Sequence, residues 1–406
     1  MVQGTDISTF KKGYSERNEG NFPETFTITL KKQYDLKYGE NMHQHAAMYL
    51  IDLINGNNVS IISKLTNIRY VRDDDKGKGG LSLTNNMDIS RGMDTIKYFP
   101  ELAVAILKHN TISGFAKQTN PNQTIGDLFR LARDADLESN FGGTVIFNRS
   151  LDRETAELLY ELRGESPFFV DVLAAPGYEE GVIGYLQSMS KNLRIAEFGD
   201  TDILPKFVGD NTYGLLSFKE MPTGRIGVQD LFLTRIKSKK DFIINPLVYD
   251  KNKNPHVVEN APTEKQLDDL LTAWYVNCSG ARSNGVVFVN NGVTVAVGGG
   301  QVARVYAVKD AIEKGMQKAM DRENIPYNKL MGIIGYGKLS KNPFQDSACA
   351  SDAFFPFADS LDLFTFVNVG AICHAFGSER DHEVVDRANQ YKLPMVATLE
   401  RCFGHF

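Results

Sequence analysis

Lys108 and His109 close a run of five apolar residues, Ala103-Val104-Ala105-Ile106-Leu107. Such a run predicts a buried strand, and a cation beside an imidazole at its carboxyl end offers an electrostatic clamp next to a group that titrates near neutrality. In open α/β sheets that edge is where ligands bind, although a strand that simply exits into solvent would look the same. The segment that follows, Thr111-Ile112-Ser113-Gly114, reads as a loop. Further along, Ser283-Asn284 opens another strand-like run, and Gly298-Gly299-Gly300-Gln301 precedes Arg304 at a predicted helix start. Backbone amides and a guanidinium so placed can hold a phosphate, whereas glycines alone more simply make a tight turn. Asp352-Ala353-Phe354-Phe355-Pro356-Phe357-Ala358-Asp359 brackets three aromatic rings with two carboxylates, a set suited to a planar heterocycle and equally to a core. In the tail, Arg401, Phe403 and His405 alternate as in a strand and so share one face.

Composition bounds these readings. With 406 residues, 42% hydrophobic and 23% charged, the chain is that of an ordinary soluble protein of two or three domains. A net charge of -5 gives no basic surplus for nucleic acid, and no apolar run approaches a membrane span. The polar start lacks a signal-peptide core, so a cytoplasmic location is expected. Cys278, Cys349, Cys373 and Cys402 are dispersed without a C-x-x-C pair, which argues against a zinc site and a disulfide framework.

The elements that must position these groups alternate. Asp88 is read as the cap of a helix through Met93 and Ile96 that leads to the Ala103 strand. Thr124 caps a helix over Ile125 to Ala135, Phe141-Gly142-Gly143 leads into a strand to Phe147, and Asp152 caps the next helix. A blurred stretch rich in lysine and Asn-Pro follows, then a helix from Thr263 and two strands flanking Asn290-Asn291-Gly292, whose Asn-Gly is a hairpin signal. Arg304 opens a long helix, and strands around Ala371 and Val396 flank a helix from Asp381. The alternation predicts two α/β halves with largely parallel pairing and no repeat visible in the residues themselves. The divisions are an N-terminal extension 1–35, a first domain 36–215, a connecting region 216–262 and a second domain 263–406.

In this order the segments resemble the AICAR transformylase family, the transformylase part of the bifunctional purine-biosynthesis enzyme. The matching segments are Leu36-Lys37-Tyr38-Gly39-Glu40-Asn41 with His43-Gln44, Lys108-His109, Phe141-Gly142-Gly143 with Phe147-Asn148-Arg149, and Ser283-Asn284. Gly298 to Gln301 with Arg304, Ser351 to Phe357 with Asp359, and Arg401, Phe403 and His405 complete the set. The resemblance implies two cytidine-deaminase-like three-layer α/β domains in one chain and a homodimer with active sites shared between subunits. The implied reaction is formyl transfer from 10-formyltetrahydrofolate, the co-substrate, to the 5-amino group of aminoimidazole carboxamide ribonucleotide (AICAR). Lys108, His109 and Asn284 are implied as catalytic; Lys37, Tyr38, Gly143, Arg304, Phe354, Arg401 and Phe403 as nucleotide-binding; and Asp359, Pro356 and His405 as folate-binding. A potassium ion is implied near Ser283 and Asp352. The His-x-Glu and Pro-Cys-x-x-Cys signature of zinc deaminases is missing, so zinc-assisted deamination is disfavoured.

Three departures stand out. Lys37 occupies the place of a family arginine, exchanging a bidentate fork for a point charge. Asn110 to Gly114 lacks the family proline, and Gly404 stands where a histidine is common. The cyclohydrolase domain that precedes this region in the bifunctional enzyme is not among the 406 residues, so ring closure is expected from a separate IMP cyclohydrolase. These departures keep open a rival, a non-catalytic purine-nucleotide-binding or scaffolding protein on the same fold.

Overall fold

A computed structural model describes residues 3–14, 22–71, 80–163, 166–325 and 339–405. Parts of the N-terminal extension, Gly79 and Phe406 lie outside the described residues. Near the N-terminus, β1 (Ile28–Asp35) and β2 (Ala47–Ile54) pair antiparallel, and the segment carrying Lys37 and Tyr38 connects them.

The first half then runs α1 (Leu83–Ile96), β3 (Ala103–Lys108), β4 (Thr111–Lys117), α2 (Ile125–Ala135), β5 (Gly143–Phe147), α3 (Arg153–Leu158), β6 (Val170–Ala175), α4 (Val182–Met189) and β7 (Arg194–Glu197). An antiparallel ribbon, β8 (Leu216–Met221) and β9 (Arg225–Asp230), leads on. The second half repeats the sequence of elements: α5 (Glu264–Gly280), β10 (Val286–Asn290), β11 (Val293–Gly298), α6 (Arg304–Arg322), β12 (Ala348–Ser351), α7 (Asp359–Phe366), β13 (Ala371–His374), α8 (Asp381–Gln390) and β14 (Met395–Ala397).

Sheet order repeats as well. One 12-stranded sheet runs β14-β13-β12-β10-β11-β4-β3-β5-β6-β7, with two-residue edge strands Ile243–Ile244 beside β14 and Arg69–Tyr70 beside β7. In each half the first two strands form a hairpin, the third lies antiparallel to the first, and the last three are parallel. The halves join through β4 and β11, antiparallel with Ala116 opposite Val293. An antiparallel seam relates the halves by a pseudo-two-fold axis perpendicular to the sheet, so equivalent strand ends emerge on opposite edges. This internal repeat is carried by topology.

The expected parallel pairing is therefore corrected to a mixed sheet. A two-residue connection can join only antiparallel neighbours, and each half begins with one. Lys108 pairs with Thr111, so the loop expected over Thr111 to Gly114 is instead strand β4, and the turn consists of His109 and Asn110 at φ 55° and 61°. Asn291 and Gly292, at φ 52° and 74°, make the equivalent turn. Two successive positive φ values are the type I′ geometry that matches strand twist. The Asp88 cap is also corrected: Ser82 caps α1 in a reciprocal pair with Asn85, and Asp88 lies inside the helix. Thr124 and Asp152 cap their helices as their spacing predicts, and Thr263, read as the first residue of its helix, is the cap of α5.

The layers follow from burial on both sheet faces. Ala103, Ala105 and Leu107 of β3 face a core shared with α1, α5 and strands of both halves, while Val104 and Ile106 face a separate core beneath α2, α3 and α4. A third core packs α6, α7 and α8 on the second half. Trp274, the only tryptophan, is buried in the shared core, and the rings of Tyr98 and Tyr275 stack there at 4.7 Å. Among the described residues no helix is long and apolar enough to cross a membrane.

Candidate active site

Strand direction brings most of the predicted site residues to one sheet edge. Lys108 ends β3 there, β5 begins there at Gly143, and β11 and β12 end there at Gly298 and Ser351. They form two clusters. Between β3 and β10 lie β4 and β11, and three interstrand steps separate Lys108-His109 from Ser283-Asn284 by about 14 Å.

The first cluster gathers around the N-terminal half of α1. Lys37 N–H donates to Leu81 O and Leu83 N–H to Tyr38 O, so the Lys37-Tyr38 turn is tied to the start of this helix. Lys108 Nζ donates to Phe141 O at 2.8 Å, linking the strand end to the glycine entry of β5. Gly143 is structurally required, because a Cβ there would meet Leu107 O at 2.9 Å and Asn140 O at 3.0 Å. The His109 side chain is exposed at the turn.

The second cluster is built around Asp352, whose side chain is withdrawn from solvent. Arg304 Nη1 donates to Asp352 Oδ1 at 2.5 Å and to Ser351 Oγ at 2.8 Å, and Nη2 donates to Asn284 Oδ1 at 2.8 Å. Asp352 Oδ2 accepts from Ser283 Oγ and from Gly285 N–H. The resemblance implies a phosphate contact for Arg304; its guanidinium is instead turned inward, spent on a carboxylate that would otherwise be buried unpaired. Asn284 Nδ2 donates to Gln301 O, so both ends of this amide are fixed, and the peptide bond before it is cis. The implied potassium does not fit this arrangement, since both Asp352 oxygens are engaged and Arg304 supplies the balancing charge. The triple-glycine segment turns against Arg282: Gly300 N–H donates to Arg282 O.

The tail docks on this cluster. Ser283 N–H donates to Gly404 O, Gly404 N–H to Ser283 Oγ, and Cys402 N–H to Asp352 O. Arg401, Phe403 and His405 project from an extended segment outside the sheet ladder, the guanidinium 4.8 Å from the Phe403 ring centre and the His405 ring 5.7 Å beyond. Phe355 is buried beside His374, Phe354 and Pro356 are half-buried, and Asp359 is exposed at the start of α7. Burial, with the Arg304 charge adding to it, holds the His374 imidazole down at about 3, so it is neutral. The Asn148 motif lies on the opposite edge, tying β3 to β5: its Oδ1 accepts from Ala103 N–H at 2.8 Å.

A cavity of about 690 Å³ lies beside the tail, lined by Arg91 and Asp94 of α1 and Lys97 just after it, by Lys219 and Gln229 of the β8–β9 ribbon, and by Phe403 to His405. A second of about 740 Å³ shares Arg91 and Asp94 and reaches Asn110. Sequence reading missed Arg91, Lys97 and Lys219, which line the first cavity. Arg91 stands three residues after Asp88 on α1, a same-face spacing that could have flagged it. Lys97 Nζ meets its helical neighbour Asp94, but it also donates to Pro205 O at 2.7 Å, and Lys219 Nζ donates to His405 O; these last two are contacts across long sequence separations that no local pattern announces.

The family described as the AICARFT/IMPCHase bienzyme matches residues 6–314. The chain is similar to the bifunctional purine biosynthesis protein PurH of Persephonella marina, 32% identical over 384 residues that cover 95% of this chain and 62% of that one. The corresponding protein of Pelodictyon phaeoclathratiforme is 30% identical over 403 residues, covering 98% and 64%. The chain thus spans less than two thirds of the length of these curated relatives.

Proposed function

Because this chain belongs to the AICARFT/IMPCHase bienzyme family, we propose that it acts in purine biosynthesis, transferring the formyl group of 10-formyltetrahydrofolate to the 5-amino group of AICAR. The observation that carries the reading is the collection of Lys108-His109, Gly143, Asn284 and the Arg401–His405 tail on one sheet edge, with the Phe403–His405 end of that tail lining a cavity of about 690 Å³, a size that suits a nucleotide.

The substrate amine is a weak nucleophile, its lone pair delocalised into the ring and carboxamide. As its nitrogen bonds to the formyl carbon it must lose a proton, and the bond from that carbon to N10 of the folate breaks as N10 gains one. His109, exposed at its turn, moves this proton. The Lys108 ammonium has three donors; one serves Phe141 O, and another stabilises the oxyanion on the formyl oxygen. Asn284, its amide orientation set by Arg304 and Gln301, has one N–H left to orient the substrate. Reacting atoms must approach to about 3–3.5 Å, and the two clusters of one chain stand about 14 Å apart. A homodimer in which each site combines one cluster from either subunit closes that distance.

The test is tetrahydrofolate release from AICAR and 10-formyltetrahydrofolate, followed spectroscopically, with His109→Ala as control. Turnover lost in the variant supports the reading. AICAR binding without turnover in the unaltered protein would replace it with a nucleotide-binding role.

A further inference from the structure

The geometry points to Asp88 as a positioning residue for this reaction, holding in place the two-residue turn that presents His109; the inference rests on the function proposed above. Asp88 is buried on α1, and its Oδ1 accepts from Asn110 N–H at 2.6 Å. Its Oδ2 accepts from Thr144 Oγ1 of β5, so the carboxylate cannot swing away. One helical step on, Arg91 Nε donates to Asn110 Oδ1 at 3.4 Å. The same helix face thus grips Asn110 by its backbone and its side chain.

The turn needs such a hold. Both His109 and Asn110 sit at positive φ, and the left-handed region costs a residue with a Cβ about 1–2 kcal/mol. The second half provides an internal control. Asp269 is the sixth residue of α5, as Asp88 is of α1, and accepts from Asn291 N–H at 3.0 Å and Gly292 N–H at 2.8 Å. That turn lies on the opposite edge, carries no titratable side chain, and uses Asn-Gly, the pair best suited to its geometry. The fold thus retains one helix-to-turn clamp twice, once where only architecture is served and once under an imidazole.

The experiment compares Asp88→Ala, Asp88→Asn and Asp269→Ala in the full chain, measuring kcat, KM for AICAR and hydrogen exchange at the Asn110 amide. Asp88→Ala is expected to lower kcat about tenfold or more with KM within about twofold, and to speed Asn110 exchange. Asp88→Asn keeps a carbonyl acceptor for Asn110 and should recover kcat to within about threefold. Asp269→Ala should lower thermal stability and leave kcat per folded molecule unchanged. Wild-type kcat in Asp88→Ala, an equal kcat loss in Asp269→Ala, or failure of Asp88→Asn to recover while Asn110 stays protected would each overturn the assignment. Should Asp88→Ala not fold, Thr144→Val, which frees Oδ2, is read by the same two outcomes. Absence of turnover in the wild-type protein would fall on the proposed function instead, and Asn110 exchange, read without substrate, would still decide whether Asp88 holds the turn.

Discussion

Arg304 Nη1 and Asp352 Oδ1 meet at 2.5 Å with side chains only 5% and 1% exposed, and through this pair α6, β12 and the Asn284 turn are fixed to one another. Removing one partner of a buried pair strands the other charge. Arg304→Met or Asp352→Asn is therefore predicted to cost about 3–5 kcal/mol in urea unfolding, and the double variant less than the sum. Additive losses would show that the pair is not coupled. Arg304→Lys separates this scaffold role from a phosphate contact. It keeps charge without the fork, so stability should fall, whereas unchanged stability with weakened AICAR binding would favour the phosphate.

His109→Ala should reduce formyl-transfer turnover by about a hundredfold or more, the usual scale for a proton-transfer group, with AICAR affinity within a few-fold. The His109 ring is exposed at its turn, so its removal leaves the packed core intact, and circular dichroism checks this. Undiminished turnover would remove His109 from the mechanism.

Asn148 serves architecture on the far edge. Besides accepting from Ala103 N–H, its Nδ2 donates to Phe99 O and Glu101 O. Asn148→Ala leaves these groups short of partners, at about 1–3 kcal/mol for each one buried and unsatisfied. The expected outcome is a lower unfolding midpoint with unchanged kcat per folded molecule; a selective loss of kcat would contradict it.

His374 predicts an acid sensitivity. Its folded value of about 3 lies below the ordinary 6.5, so between these limits the unfolded chain binds the extra proton and stability falls as pH is lowered. The contribution is about 1.4 kcal/mol per pH unit within that window. His374→Phe, which keeps a ring against Phe376, should flatten the slope of unfolding free energy between pH 6 and pH 5 by that amount. An unchanged slope would mean that the imidazole is not held neutral.

Much of this architecture was legible locally. The apolar run of β3, the caps Thr124 and Asp152, and the Asn291-Gly292 turn are statements about hydrophobicity, orphan helix amides and φ preference, each satisfied within a few residues. The ordered motifs likewise mark the family in the sequence itself. What the tertiary structure alone decided is partnership. Nothing near Arg304 in sequence announces that Asp352, 48 residues away, takes its guanidinium inward, nor that Asp88 leaves the helix cap to Ser82 and reaches Asn110. The β4–β11 seam fixes which strand ends share an edge, and so divides the candidate site into two clusters and sends Asn148 to the other side. Such choices depend on which long-range pairing buries the most apolar surface while leaving no charge unpartnered, a condition on the whole chain that no local stretch of residues contains.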